Sequence, residues 1–168
     1  MKHIALIILL LLASCSFTPL HKATEGHYDI LSQIKLGSII SSKDYIFRNY
    51  LIEELNPNRI DSEQKFILDI SVSNSTQDLL VQKDTTVSRS KMTVIANYKL
   101  KDLKNKIIKS GEIKSTVGFE QNLSSYSSFT QEKEAYKNAL KDIARSLKSP
   151  IIVSLLNKNL IINENISK

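Results

Sequence analysis

Between Lys65 and Asn74, apolar Phe66, Leu68, Ile70 and Val72 alternate with polar Asp69, Ser71 and Ser73. A period of two places the first set on one face of a half-buried strand and the second on the other. The same alternation returns across "VSRSKMTVIANYKL", where Met92, Val94, Ala96, Tyr98 and Leu100 interleave with Arg89, Lys91, Thr93, Asn97 and Lys99. The turn residues "KDLKNK" lead into "IIKSGEIKSTVGF", a third strand ending near Phe119, and three strands joined in this way form a meander. The polar stretch "STQDLLVQKDTT" reads as the connection between the first two. Upstream, "YDILSQIKLGSII" alternates more loosely and predicts a further strand over about Tyr28 to Leu36.

Two segments change to the helical period. In "SSKDYIFRNYLIEELNP", Ile46, Phe47, Tyr50, Leu51 and Leu55 fall on one face, with Ser41 or Ser42 as cap, Asp44 in the first turn and Asn56-Pro57 as stop. In the last long segment Ala135, Ala139, Leu140, Ile143, Ala144 and Leu147 form a stripe. Ser128 with Gln131 fits a capping box at its start. The stripe resumes beyond Pro150 at Ile151, Ile152, Leu155 and Leu156, so the helix either kinks at the proline or breaks and restarts. The element order is strand, helix, strand, strand, strand, helix. One apolar sheet face and two helical stripes are satisfied together if both helices cover the same side, which predicts a two-layer α+β sandwich with about four strands.

Ahead of this domain, Ile4 to Ala13 form an unbroken apolar run behind Lys2 and His3. The run is about half the ~20 residues needed to cross a bilayer, and suits the core of an export signal. It ends in Leu12-Ala13-Ser14-Cys15, and Cys15 is the single cysteine of the chain. This junction resembles the lipobox of bacterial lipoproteins, which implies cleavage after Ser14, a diacylglycerol on the Cys15 thiol and acylation of the new amine. Ser16 rather than aspartate after the cysteine favours, by the same resemblance, the outer membrane. Several acyl chains make a lasting anchor where one gives only marginal binding. The expected organisation is a signal over 1–14, a lipidated tether over 15–27, one domain over 28–160 and a polar tail over 161–168.

Composition narrows the chemistry. The 168 residues carry 23 basic and 17 acidic side chains, a net +6 that falls to +5 once Lys2 is removed. That excess is spread out, with no block of like charges, so it allows an anionic partner without demanding one. No arginine cluster or aromatic-rich basic strand points to nucleic acid. After cleavage the remaining histidines, His21 and His27, both fall in the tether. No HExxH helix, nucleophile elbow, phosphate-binding glycine loop or dinucleotide fingerprint is present, and no cysteine is left for a metal site. Asp69, Asp102 and Glu112 read as solvated carboxylates on exposed faces or turns. Neither cofactor nor metal nor enzymatic activity is expected.

Four stretches then combine. "CSFTPL" resembles the start of the LptE lipopolysaccharide-assembly lipoprotein family, and Arg48-Asn49-Tyr50-Leu51 its first-helix segment. "ANYKL" with the following "SGEI" is similar to its strand and glycine-containing return strand, and Tyr126 through Leu156 resembles its alanine-spaced last helix. Ser16, Thr18 and Pro150 depart from the family pattern. The resemblance implies an outer-membrane-anchored periplasmic domain that plugs the β-barrel LptD and helps insert lipopolysaccharide into the outer leaflet. Arg89, Lys91 and Lys99, on one strand face, are the candidate contacts for lipid A phosphates, with Arg89 and Lys91 close enough to bracket one. Solvated lysines that guard a sheet, or residues facing the barrel, are the competing readings of those cations. An auxiliary lipoprotein of a lipid transporter and a lipid-anchored enzyme remain as alternatives for the whole chain.

Overall fold

The computed structural model describes residues 28–41, 43–80, 87–122 and 124–166. Cys15 and the expected export signal and tether, residues 1–27, lie outside these residues. The element order is α1 (Tyr28–Leu31), β1 (Ile34–Ile40), α2 (Asp44–Leu55), β2 (Phe66–Leu80), β3 (Val87–Asp102), β4 (Ile107–Asn122) and α3 (Ser125–Ile166). The four strands form one mixed sheet in the order β1-β2-β3-β4, with β1 parallel to β2 and the other pairs antiparallel. The fold is therefore the expected α+β sandwich, with both long helices on one face of the sheet.

The core follows the sequence pattern closely. Leu68, Ile70, Met92, Val94, Ala96, Tyr98 and Leu100 of the sheet are buried under Phe47, Leu51 and Leu55 of α2. Ala139, Leu140, Ile143, Ala144, Leu147, Ile151 and Leu155 of α3 complete that layer. The alanines bring the α3 backbone close to β3 and β4, and the larger residues between them fill the space that remains. Gly111 on β4 serves Tyr98 on β3, because a Cβ there would sit 2.9 Å from the Tyr98 hydroxyl oxygen. The phenol thus lies across its neighbour strand, and burial raises its pKa.

Four local expectations are corrected. Tyr28–Leu31 is a short helix and not the start of the first strand, which begins at Ile34. Tyr28 and Leu31, three apart, both turn inward on a helical turn, and Ser32 closes it by donating to the Asp29 carbonyl at 2.9 Å. Of the stretch 75–86, expected as a connection, residues 75–80 continue β2 and 81–86 lie outside the described residues. The continuation pairs with β3 along one side only, and neither helix covers it, so nothing demands apolar residues there. The last helix starts a turn before the expected box, and the Gln131 side chain accepts instead from the Glu120 N–H of β4 at 3.2 Å. Ser41 accepts the Lys43 N–H at 3.2 Å, but Lys43 itself holds the cap position of α2, which has no side-chain cap bond.

Helix α3 runs through Pro150 without ending. The proline removes one N–H whose acceptor would be the carbonyl of Ser146. Ser146 is exposed, so water can take that position. The helix continues to Ile166, into the stretch expected as a polar tail.

Candidate functional site

Among the described residues, no helix covers the sheet's second face. Register places Arg89, Lys91, Thr93, Ile95, Asn97, Lys99 and Lys101 of β3 along it. Lys35 of β1 and Lys114 of β4 flank this row, and the carboxylates on the same face are Asp69, Glu112 and Glu120. Six cations against three carboxylates give the described part of the face a positive balance. Alternation alone makes this so: once Met92, Val94 and Ala96 are committed to the core, every second residue of β3 must look outward.

Arg89, Lys91 and Lys99 therefore do share one face, as expected. They do not form one cluster. Arg89 and Lys91 occupy alternate positions about 6.6–6.8 Å apart, whereas Lys99 lies eight residues further on, roughly 26 Å along the strand. Two cationic ends result. At the first, Arg89 stands opposite Glu120, with its guanidinium 3.8 Å from that carboxylate, and both side chains are more than half exposed. Lys91 stands between Gln77 of β2 and Gly118 of β4, and the missing side chain of Gly118 leaves it open on that side. A hollow of about 350 Å³ beside them is lined by Leu79, Arg89, Ser90, Gly118, Phe119 and Glu120.

At the second end Lys99 and Lys101 border a hollow of about 250 Å³ with Ser38, Asn97 and Asp69. Lys101 donates to Asp69 at 2.5 Å, and the Ser38 N–H donates to the other carboxylate oxygen at 2.8 Å. The Lys101 hydrogen bond, more than the Ser38 N–H, holds the Asp69 carboxyl below its ordinary value against the opposing effect of burial. Asp69 is thus a paired, half-buried group and not the solvated carboxylate expected from sequence. Lys101 and Lys35 were missed as members of this face. The alternation that gave Lys99 reaches Lys101 if β3 is carried two residues further, past Leu100.

The arrangement can hold phosphate-bearing anions by charge, with Arg89 able to present two N–H donors once released from Glu120. No group of three or more histidine, cysteine, aspartate or glutamate side chains suited to a metal ion occurs among the described residues. No described helix is long and apolar enough to cross a membrane.

Comparisons with known proteins bear on this surface. The family model described as "LptE: Lipopolysaccharide-assembly" matches residues 32–151, which span β1 to the Pro150 region of α3. No curated protein sequence matches the chain. A crystal structure from Caulobacter crescentus, of a protein provisionally described as a lipoprotein, superposes with a TM-score of 0.59 at 18% identity. That match covers 79% of this chain and 97% of the other. A minor lipoprotein from Acinetobacter baumannii gives a TM-score of 0.58 at 12% identity, over 74% of this chain and 94% of the other. At such identities the two structures establish a shared fold.

Proposed function

The chain belongs to the LptE lipopolysaccharide-assembly family, and from that premise we propose that it is a lipid-anchored outer-membrane lipoprotein that plugs the β-barrel LptD. In this role it occupies the barrel lumen, supports barrel assembly and takes part in inserting lipopolysaccharide into the outer leaflet. It acts by shape and charge and not by catalysis. Acyl chains on Cys15 hold it on the periplasmic side of the membrane.

The observation that carries this reading is the family match from β1 to the Pro150 region of α3, joined to a sheet face that both helices leave uncovered. A plug needs rigid bulk and an outer surface able to contact a barrel wall. A two-layer domain with a polar, net-cationic open face supplies both. Arg89 and Lys91 are the proposed contacts for lipid A phosphate at one end of that face, and Lys99 is a separate contact at the other.

Affinity purification from detergent-solubilised membranes tests the partner. The expected result is recovery of one large β-barrel protein in near-equal amount. Recovery of an inner-membrane transporter in its place, or of the domain alone, would overturn the plug role.

A further inference from the structure

The end of the molecule where the chain emerges from its tether also carries the turn between β3 and β4. Ile34, Phe66 and Asp102 lie in one row across the sheet, and α1 immediately precedes that row. The Tyr28 ring packs 5.5 Å beneath the Lys148 ammonium of α3, close along the helix to Pro150. Cys15 is thirteen residues before Tyr28, a span of at most ~45 Å. A chain tethered through Cys15 to a bilayer therefore enters the sandwich at this end, which lies within ~45 Å of the attachment point.

The turn itself is built to meet such a surface. Its sequence is Asp102-Leu103-Lys104-Asn105-Lys106-Ile107. The one carboxylate within it, Asp102, accepts the backbone N–H groups of Lys104 and Lys106, each at 2.9 Å. Asn105 takes the left-handed conformation, φ 61°, that asparagine tolerates. The backbone is thus tied down from within, and the side chains are turned out. Leu103 is 61% exposed and Ile107 52% exposed. Lys104, Lys106 and Lys109 are exposed, and none forms an ion pair among the described residues. Beside the turn, Ile108, Lys106, Lys109, Pro150 and Val153 line an apolar-walled groove of about 670 Å³.

We propose that the β3–β4 turn is a second membrane contact: Leu103 and Ile107 enter the interfacial layer of the bilayer while Lys104, Lys106 and Lys109 pair with anionic phospholipid headgroups. Aliphatic side chains ringed by unpaired cations are the composition of interfacial anchors. Charge complementarity and the tether's point of attachment both select a phospholipid surface as the occupant. The contact would hold the tethered end of the sandwich against the membrane at a second point, which attachment through Cys15 alone does not. It rests on the acylation of Cys15 proposed above.

The test uses the processed, full-length mature protein in vesicles of phosphatidylethanolamine and phosphatidylglycerol. An environment-sensitive fluorophore is attached at Leu103→Cys or Ile107→Cys, with Leu79→Cys at the far end as the control. Nitroxide groups on the lipid chains are expected to quench the probe severalfold at 103 and 107 and to leave the probe at 79 unchanged. Lys104→Glu combined with Lys106→Glu should abolish the quenching at 103. Equal signals at 103 and 79, or quenching indifferent to the charge reversal, would overturn the contact. So would quenching that requires lipopolysaccharide and fails with phosphatidylglycerol. The unsubstituted chain separates the two readings: label taken up at Cys15 overturns the anchor, whereas an unlabelled chain that floats with vesicles while the probe at 103 stays unquenched overturns the turn contact alone.

Discussion

At Asp69, three elements of the sheet meet through one carboxylate: Ser38 of β1 donates from its backbone, Lys101 of β3 from its side chain, and Gly37 leaves room for both. A Cβ on Gly37 would fall on the Asp69 carboxylate oxygen and within 2.8 Å of an Ile67 methyl carbon, so Gly37→Ala should cost about 1–3 kcal/mol by displacing the pair. The pH dependence follows from the lowered Asp69 pKa. Its stabilisation is fully present above the ordinary value of 3.8 and is lost as pH falls through the depressed folded-state value. Asp69→Asn should therefore reduce stability near neutral pH by about 1 kcal/mol and flatten its decline in strong acid, read from urea midpoints across the acid range. An unchanged acid profile would show that the pair is too solvated to matter. On the same face, Arg89→Ala with Lys91→Ala should weaken lipopolysaccharide binding at low salt by roughly tenfold while the thermal midpoint stays in place. Unchanged binding would remove that end of the face as a contact. Sequence alternation located these two cations correctly, because alternation fixes which face a strand residue takes. It could not show that Glu120 stands beside Arg89, since that depends on strand register.

Helix α3 is the element on which packing depends most. Ile143 is fully buried against the sheet, and Ile143→Ala should cost about 2–5 kcal/mol. Val153, on the same helix but 54% exposed, should cost under about 0.5 kcal/mol when replaced by alanine. Thermal or denaturant unfolding of the two variants checks the contrast, and equal losses would contradict the placement of the stripe. Pro150→Ala restores one helical N–H in an unbroken helix and should raise stability by about 1–3 kcal/mol. A loss of stability would mean that the helix relies on a bend at that position. The stripe from Ala135 to Leu147 was legible because burial imposes its period on the sequence. Continuity across Pro150 was not, since it depends on packing of Ile151 and Leu155 against the same core. The outer half of β2 was equally hidden. Residues such as Ser75, Thr76 and Gln77 are exposed whichever way they face, and a strand without a buried face leaves no alternating trace.

At the scale of the molecule, two helices on one side of a four-stranded sheet leave the other side to a partner or to water. Sequence pattern was enough to foresee this, because three amphipathic strands and two apolar stripes have few ways to bury themselves together. The open face could not be turned into a partner by pattern alone. Its cations are separated into two ends and partly neutralised by Asp69 and Glu120, so charge by itself does not name a ligand. Family membership supplies the missing specificity, and the uncovered face gives that membership a physical use. The account then requires that lipopolysaccharide fail to reach the cell surface when this protein is withdrawn. Depletion in its native bacterium, followed by surface labelling of lipopolysaccharide on intact cells, measures this directly. The expected result is a fall in surface lipopolysaccharide accompanied by loss of the mature β-barrel partner. Undiminished surface lipopolysaccharide with the barrel intact would contradict the account.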